Sequence, residues 1–199
     1  VPVFEENGFI LKLDQKIWES ACRKIREWID KGIEPVPISV NISREYIHTF
    51  DVVGEMLHLV NKYDIPIKLL ELEITETTDA EGVSDVVQKM KDAGFTMLMD
   101  DFGSGYSSLN MLQKTQFDVL KIDRGFLSEF MESSRGRKII SHTISMSRDI
   151  GLDIIAEGVE TPEQASFLSD CGCDSAQGFY SSKPITQEEF DKMLVEVNK

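Results

Sequence analysis

Histidine and cysteine are scarce in this chain, with 3 of each among 199 residues. Cys22 stands alone, and Cys171 and Cys173 are separated by a single residue, which is not a zinc-type spacing. An odd cysteine count argues against a disulfide framework, so a reducing, cytoplasmic setting is the expectation. Long apolar runs are missing too. None approaches the length of a membrane span, and no signal-peptide pattern opens the chain. Basic residues are in deficit, 21 Lys and Arg against 35 Asp and Glu, for a net charge of −14. That balance excludes a broad surface for duplex nucleic acid. If the ligand is a phosphate ester, bound cations must locally invert the field. Repeats, linkers and low-complexity stretches are also absent, so residues 1–199 read as one domain with a single core.

What is present is alternation. Apolar residues at helical spacing (Ile17, Trp18, Ala21, Cys22, Ile25, Trp28 and Ile29) predict a helix that starts at an Asp14 N-cap and stops at Gly32. A short helix is expected before it, over Val1–Gly8. Strands follow at Ile38–Ile42, Leu70–Ile74, Phe95–Met99, Val119–Ile122, Asp153–Glu157 and Ser175–Phe179. Helical patterns separate them, around Val52–Tyr63, from Val83 to the stop at Gly94, near Leu109–Gln113, and through Ile139–Ile150. Thr161-Pro-Glu-Gln164 and Thr186-x-x-Glu189 are capping boxes for the last two helices. Strand and helix in strict alternation predict an α/β fold with a parallel sheet and helices packed outside it.

In such folds the site lies at the carboxyl ends of the strands. Read in order, those ends carry Asn41, Glu73 with Glu76 just beyond, Asp100 with Asp101, Lys121 with Asp123, Glu157 with Glu160, and Gln177. The most telling stretch is Phe95-Thr-Met-Leu-Met-Asp-Asp-Phe-Gly-Ser-Gly105, a buried apolar run that ends in two adjacent carboxylates and a glycine-bracketed loop. Neighbouring strand residues point to opposite faces, so the two aspartates converge only where the backbone turns. Otherwise they are a solvated loop pair.

Asn41, Glu73, Asp100, Asp101 and Glu157 together form an all-oxygen cluster without histidine. Hard oxygen donors favour Mg²⁺ or Mn²⁺ over zinc. Two such ions about 3.5–4 Å apart with a bridging carboxylate suit phosphodiester cleavage, and the Asp100–Asp101 pair fits the bridge. Lys121 among carboxylates fits two roles, holding an attacking water or forming a structural ion pair. Gln177 fits a phosphate contact or a strand-end cap. Glu76 fits an anchor for the Gly103 loop as well as a metal ligand.

Several motifs resemble the EAL-domain family: Val40-Asn-Ile-Ser43, Glu73-Ile-Thr-Glu76, Asp100-Asp-Phe-Gly-Ser-Gly-Tyr-Ser-Ser108, Leu120-Lys-Ile-Asp-Arg124, Ala156-Glu-Gly-Val-Glu160 and Gln177-Gly178. The resemblance covers nearly the whole chain. It implies a TIM-type (β/α) barrel that hydrolyses cyclic di-GMP to the linear dinucleotide pGpG in bacterial signalling, using two Mg²⁺ or Mn²⁺ ions. Asn41, Glu73 and Asp100 would then hold one ion, and Asp100, Asp101 and Glu157 the other. Lys121 would contact the hydrolytic water. Gln177, Asp123 and Glu160 would lie on the substrate side, and Glu76 would steady the Phe102–Ser108 loop. A homodimer is implied, with the helix from about Arg135 to Ile150 as its face. The competing expectation is a degenerate EAL module that binds the dinucleotide or a partner protein without hydrolysis.

One departure from the family pattern shapes the expectation. The Glu-Ala-Leu motif, whose glutamate is a metal ligand, and the arginine after it do not occur, and their place is before Val1. The chain thus reads as the six C-terminal βα units of the barrel with the first two strands missing, and little turnover by these residues alone is expected.

Overall fold

A computed structural model describes residues 9–49, 51–75, 82–105 and 108–198. The short helix expected over Val1–Gly8, and Glu76, lie outside the described residues. Contacts divide the chain into two compact units. One comprises Val1–Ile74, Thr78–Met97 and Thr186–Lys199, and the other Thr75–Thr77 and Leu98–Ile185.

The first unit opens with helix α1 (Phe9–Asp30) and strand β1 (Ile38–Asn41), followed by α2 (Arg44–Thr49) and α3 (Val52–Tyr63). A 3₁₀ turn at Ile67–Leu69 leads into β2 (Leu70–Thr75), and α4 (Val83–Ala93) follows. Helix α9 (Gln187–Val197) completes the unit. The start of α1 corrects the expected cap at Asp14. The apolar stripe of Trp18, Cys22 and Ile25 extends back to Ile10, so Asp14 sits inside the helix on its buried face. Leu70, Leu72 and Ile74 alternate with Glu71 and Glu73 along β2, and all three apolar residues are fully buried. Helix α4 stops where expected, because Gly94 takes a left-handed φ of 101° and its N–H reaches the Lys91 and Met90 carbonyls. Helix α9 is docked on α1 by charge. Asp191 accepts from Lys24 Nζ at 2.6 Å and from the Trp28 indole at 2.8 Å.

The second unit holds most of β3 (Thr96–Phe102), then α5 (Ser108–Lys114), β4 (Val119–Ile122) and α6 (Arg124–Met131). Helix α7 (Ser134–Asp149), β5 (Asp153–Glu157), α8 (Pro162–Asp170) and β6 (Ser175–Gln177) follow. Strand period decides what faces where. Ile122 on β4 and Ile154 and Ala156 on β5 point to the helices, into a buried cluster with Leu127 and Met131 of α6, Ile140 and Ile144 of α7, and Leu168 of α8. Lys121, Ile155 and Glu157 alternate with them and therefore face the other side of the sheet.

Strands β1 to β6 follow one another in chain order through a six-stranded sheet, and every pairing described is parallel. The α/β class and the six successive βα units are as the sequence predicts. Helices α2 and α6 were not anticipated. Among the described residues, no helix is long and apolar enough to cross a membrane.

Candidate functional site

Two adjacent aspartates reach one face because β3 is irregular at their position. From Met99 to Phe102 β3 advances three residues, while its partner β4 advances two, from Leu120 to Ile122. The extra residue is a bulge, and Asp101 within it takes a left-handed backbone with φ of 58°. Aspartate tolerates that conformation better than most residues, though still at a cost. The result is that ligand atoms of Asp100, Asp101 and Glu157 all lie within 4.8 Å of one another.

Lys121 is buried between two of these acids. Its Nζ lies 2.9 Å from Asp100 Oδ1 and 2.8 Å from Glu157 Oε1. The approach to Asp100 Oδ1 is an ion pair without hydrogen-bond geometry, for that buried oxygen has no hydrogen-bond partner. Burial holds the Asp101 carboxyl above the ordinary carboxylate range, the negative charges of Asp100, Asp123 and Glu157 push it further, and Lys121 partly offsets them. The cluster therefore carries more negative charge than its one lysine balances.

Register places Gln177 on β6 directly beside Glu157 on β5, with its side chain exposed. A depression of about 200 Å³ opens there, lined by Arg124, Glu157, Glu160, Gln177 and Phe179 among others. Two residues expected on the substrate side are already engaged. Asp123 caps α6, its Oδ1 accepting from the Phe126 N–H at 3.0 Å. Glu160 pairs with Arg124 at 2.7 Å.

Asn41 and Glu73 belong to the first unit, where they are neighbours in register across β1 and β2. Glu73 is buried, and the Asn41 side chain is exposed at the end of its strand. Glu71 lies two residues before Glu73 on the same face, and burial, with the charge of Glu73 second, raises its pKa. The acidic alternation of β2 signalled Glu71. Arg124, which ends the Leu120–Arg124 motif, was given no role in the sequence reading, yet it lines the depression beside Gln177.

Comparison with known proteins fits this arrangement. The family model described as EAL domain matches residues 1–184. The signaling protein YkoW of Bacillus subtilis is 34% identical over 199 residues, covering 98% of this chain and 25% of YkoW. The bifunctional diguanylate cyclase/cyclic di-GMP phosphodiesterase MucR of Pseudomonas aeruginosa is 34% identical over 192 residues, covering 95% of this chain and 28% of MucR. The chain thus spans about a quarter of the length of these curated relatives. Among solved structures, the PaMucR phosphodiesterase in complex with c-di-GMP superposes with a TM-score of 0.87 at 34% identity, covering 95% of this chain and 78% of that one.

Proposed function

The chain belongs to the EAL domain family, and from that premise we propose that it is a cyclic di-GMP phosphodiesterase domain which opens the ring to pGpG with the help of Mg²⁺ or Mn²⁺. The observation that carries this reading is the convergence of Asp100, Asp101 and Glu157 around Lys121. The relatives named as cyclic di-GMP phosphodiesterases and the solved complex with that dinucleotide support it.

The residues present fit a divalent cation. The donor group is entirely carboxylate, as hard cations require. Asp100 Oδ1 is buried, faces the Lys121 ammonium at 2.9 Å and accepts no hydrogen bond, so it keeps lone-pair capacity for a cation. Asp100, Asp101 and Glu157 would hold one ion. Asn41 and Glu73, side by side in the other unit, are proposed as oxygen ligands in their own right. When bound, such ions lower the pKa of a water and stabilise charge on a phosphoryl oxygen.

In the reaction, water adds to one phosphodiester and the P–O bond to the 3′ oxygen breaks. Lys121 holds the attacking water by hydrogen bond and balances charge beside Asp100 and Glu157. Gln177 and Arg124 contact the phosphate or a neighbouring group from the depression, while Asp123 serves mainly to fix the start of α6. A homodimer through α7, which exposes Ile139 with Ile150 at its end, and a cytoplasmic location complete the proposal.

The test is conversion of cyclic di-GMP to pGpG, followed by chromatography with Mn²⁺ present, in the natural full-length protein. Asp100→Ala is expected to lower turnover by about two orders of magnitude or more. Near-normal turnover in that variant overturns the metal assignment. Tight dinucleotide binding without any hydrolysis by the unsubstituted protein would replace the enzyme with a receptor.

A further inference from the structure

Asn41 ends β1 with an exposed side chain, so its direction is governed chiefly by its backbone. Helix α1 holds that backbone at Asn41 and faces it again at Ser43. Trp18, which is fully buried, donates its indole N–H to the Asn41 carbonyl oxygen at 2.8 Å. One turn earlier Asp14, also buried, faces Ser43, whose N–H and hydroxyl oppose the rise that burial imposes on its pKa. A spacing of four puts Asp14 and Trp18 on the same face of the helix. Tyr46 packs its ring 4.5 Å from that of Trp18 and backs the indole. On the sheet side, the Ile42 N–H donates to the Glu73 carbonyl at 2.9 Å. The main chain at Asn41 and Ile42 is thus held by α1 on one side and by β2 on the other.

The approach of Asp14 to Ser43 contributes little stability. Asp14 Oδ2 and Ser43 Oγ are buried and make no hydrogen bond of ordinary geometry. An ionisable group kept in such a place is costly, and an alanine there would suit the helix better. Local rules broken without a gain in stability are expected at functional positions.

We infer that Trp18 and Asp14 are positioning residues for Asn41. They set the tilt of its peptide, and through it the aim of the side-chain oxygen at a divalent cation. The inference rests on the ligand role proposed above for Asn41.

Trp18→Phe keeps a ring beside Tyr46 and removes the N–H. In the natural full-length protein, with folding checked by circular dichroism, Mn²⁺ affinity measured by calorimetry should fall about tenfold. The deciding measurement is the double variant. If Trp18 acts only through the Asn41 amide, Trp18→Phe costs no further affinity in an Asn41→Ala background. An equal loss in both backgrounds, or no loss in either, overturns the inference. Should Trp18→Phe fail to fold, Asp14→Ala in the same cycle carries the same expectation and the same refutation. Asn41→Ala alone separates the two levels. Unchanged Mn²⁺ affinity in that variant removes Asn41 as a ligand, and this inference with it. A weakened Asn41→Ala beside unaffected α1 variants overturns the positioning role and leaves the ligand in place.

Discussion

Replacing Lys121 by methionine removes one positive charge and keeps most of the side-chain stem. The ammonium stands 2.9 Å from Asp100 and 2.8 Å from Glu157. Its partners are unequally screened, the Asp100 side chain being 11% exposed and that of Glu157 23%. Deleting one partner of a buried pair costs about 3–5 kcal/mol, and the water reaching Glu157 draws the figure to the low end, about 3 kcal/mol. For a chain of this size that is a fall in Tm of about 6–12 °C. The loss should show in chelator, where three carboxylates face one another with no cation among them. Added Mn²⁺ supplies the missing charge, so the metal-induced rise in Tm should be larger for Lys121→Met than for the unsubstituted protein.

Turnover should behave oppositely. Mn²⁺ can restore stability without restoring the group that holds the attacking water, and hydrolysis should remain about a hundredfold down. Thermal melting with and without Mn²⁺, run beside a chromatographic assay, reads both effects. A variant that melts at the normal temperature in chelator refutes the electrostatic argument. One that melts low but turns over normally with Mn²⁺ leaves Lys121 as a structural ion pair and removes it from the chemistry.

The backbone at Asp101 gives a second expectation. Asp101→Gly and Asp101→Ala both lose the carboxylate and its Mn²⁺-dependent turnover, but with φ at 58° the glycine variant should be more stable by about 1 kcal/mol in urea denaturation. Equal stability would mean that residue 101 is not left-handed. A third concerns Asp14, whose pKa is raised by burial, with Glu45 adding and Ser43 opposing. A carboxyl raised by folding binds its proton more readily folded than unfolded, so its ionisation costs stability above its ordinary pKa. That cost fades as pH falls through the folded value. Asp14→Asn should therefore stabilise the protein at neutral pH, with an advantage that shrinks in mild acid, and a constant difference across that range would refute the burial argument.

The strands and most helices were legible because their signals are local. Val119-Leu-Lys-Ile122 and Asp153-Ile-Ile-Ala-Glu157 alternate between helix-facing and site-facing residues, and two capping boxes mark α8 and α9. Helix α6 was illegible because it starts on the residue after Asp123, an acid that read as part of a strand end and, by the resemblance, as a substrate contact. The cap at Asp14 misled for a related reason, since a carboxylate on a buried stripe looks like a boundary when only its chemistry is read. The convergence of Asp100 and Asp101 is a harder case. Alternation forbids it, and nothing in Met99-Asp-Asp-Phe102 shows where a bulge would fall. It becomes physical only when β4 advances two residues against three and forces one aspartate into a left-handed backbone. The adjacency of the two acids raised the question, and strand pairing at long range answers it. A cluster of like charges on a strained backbone is costly in isolation. The divalent cation proposed for this cluster would offset both costs at once, since it would neutralise the charge and use the geometry that the bulge creates.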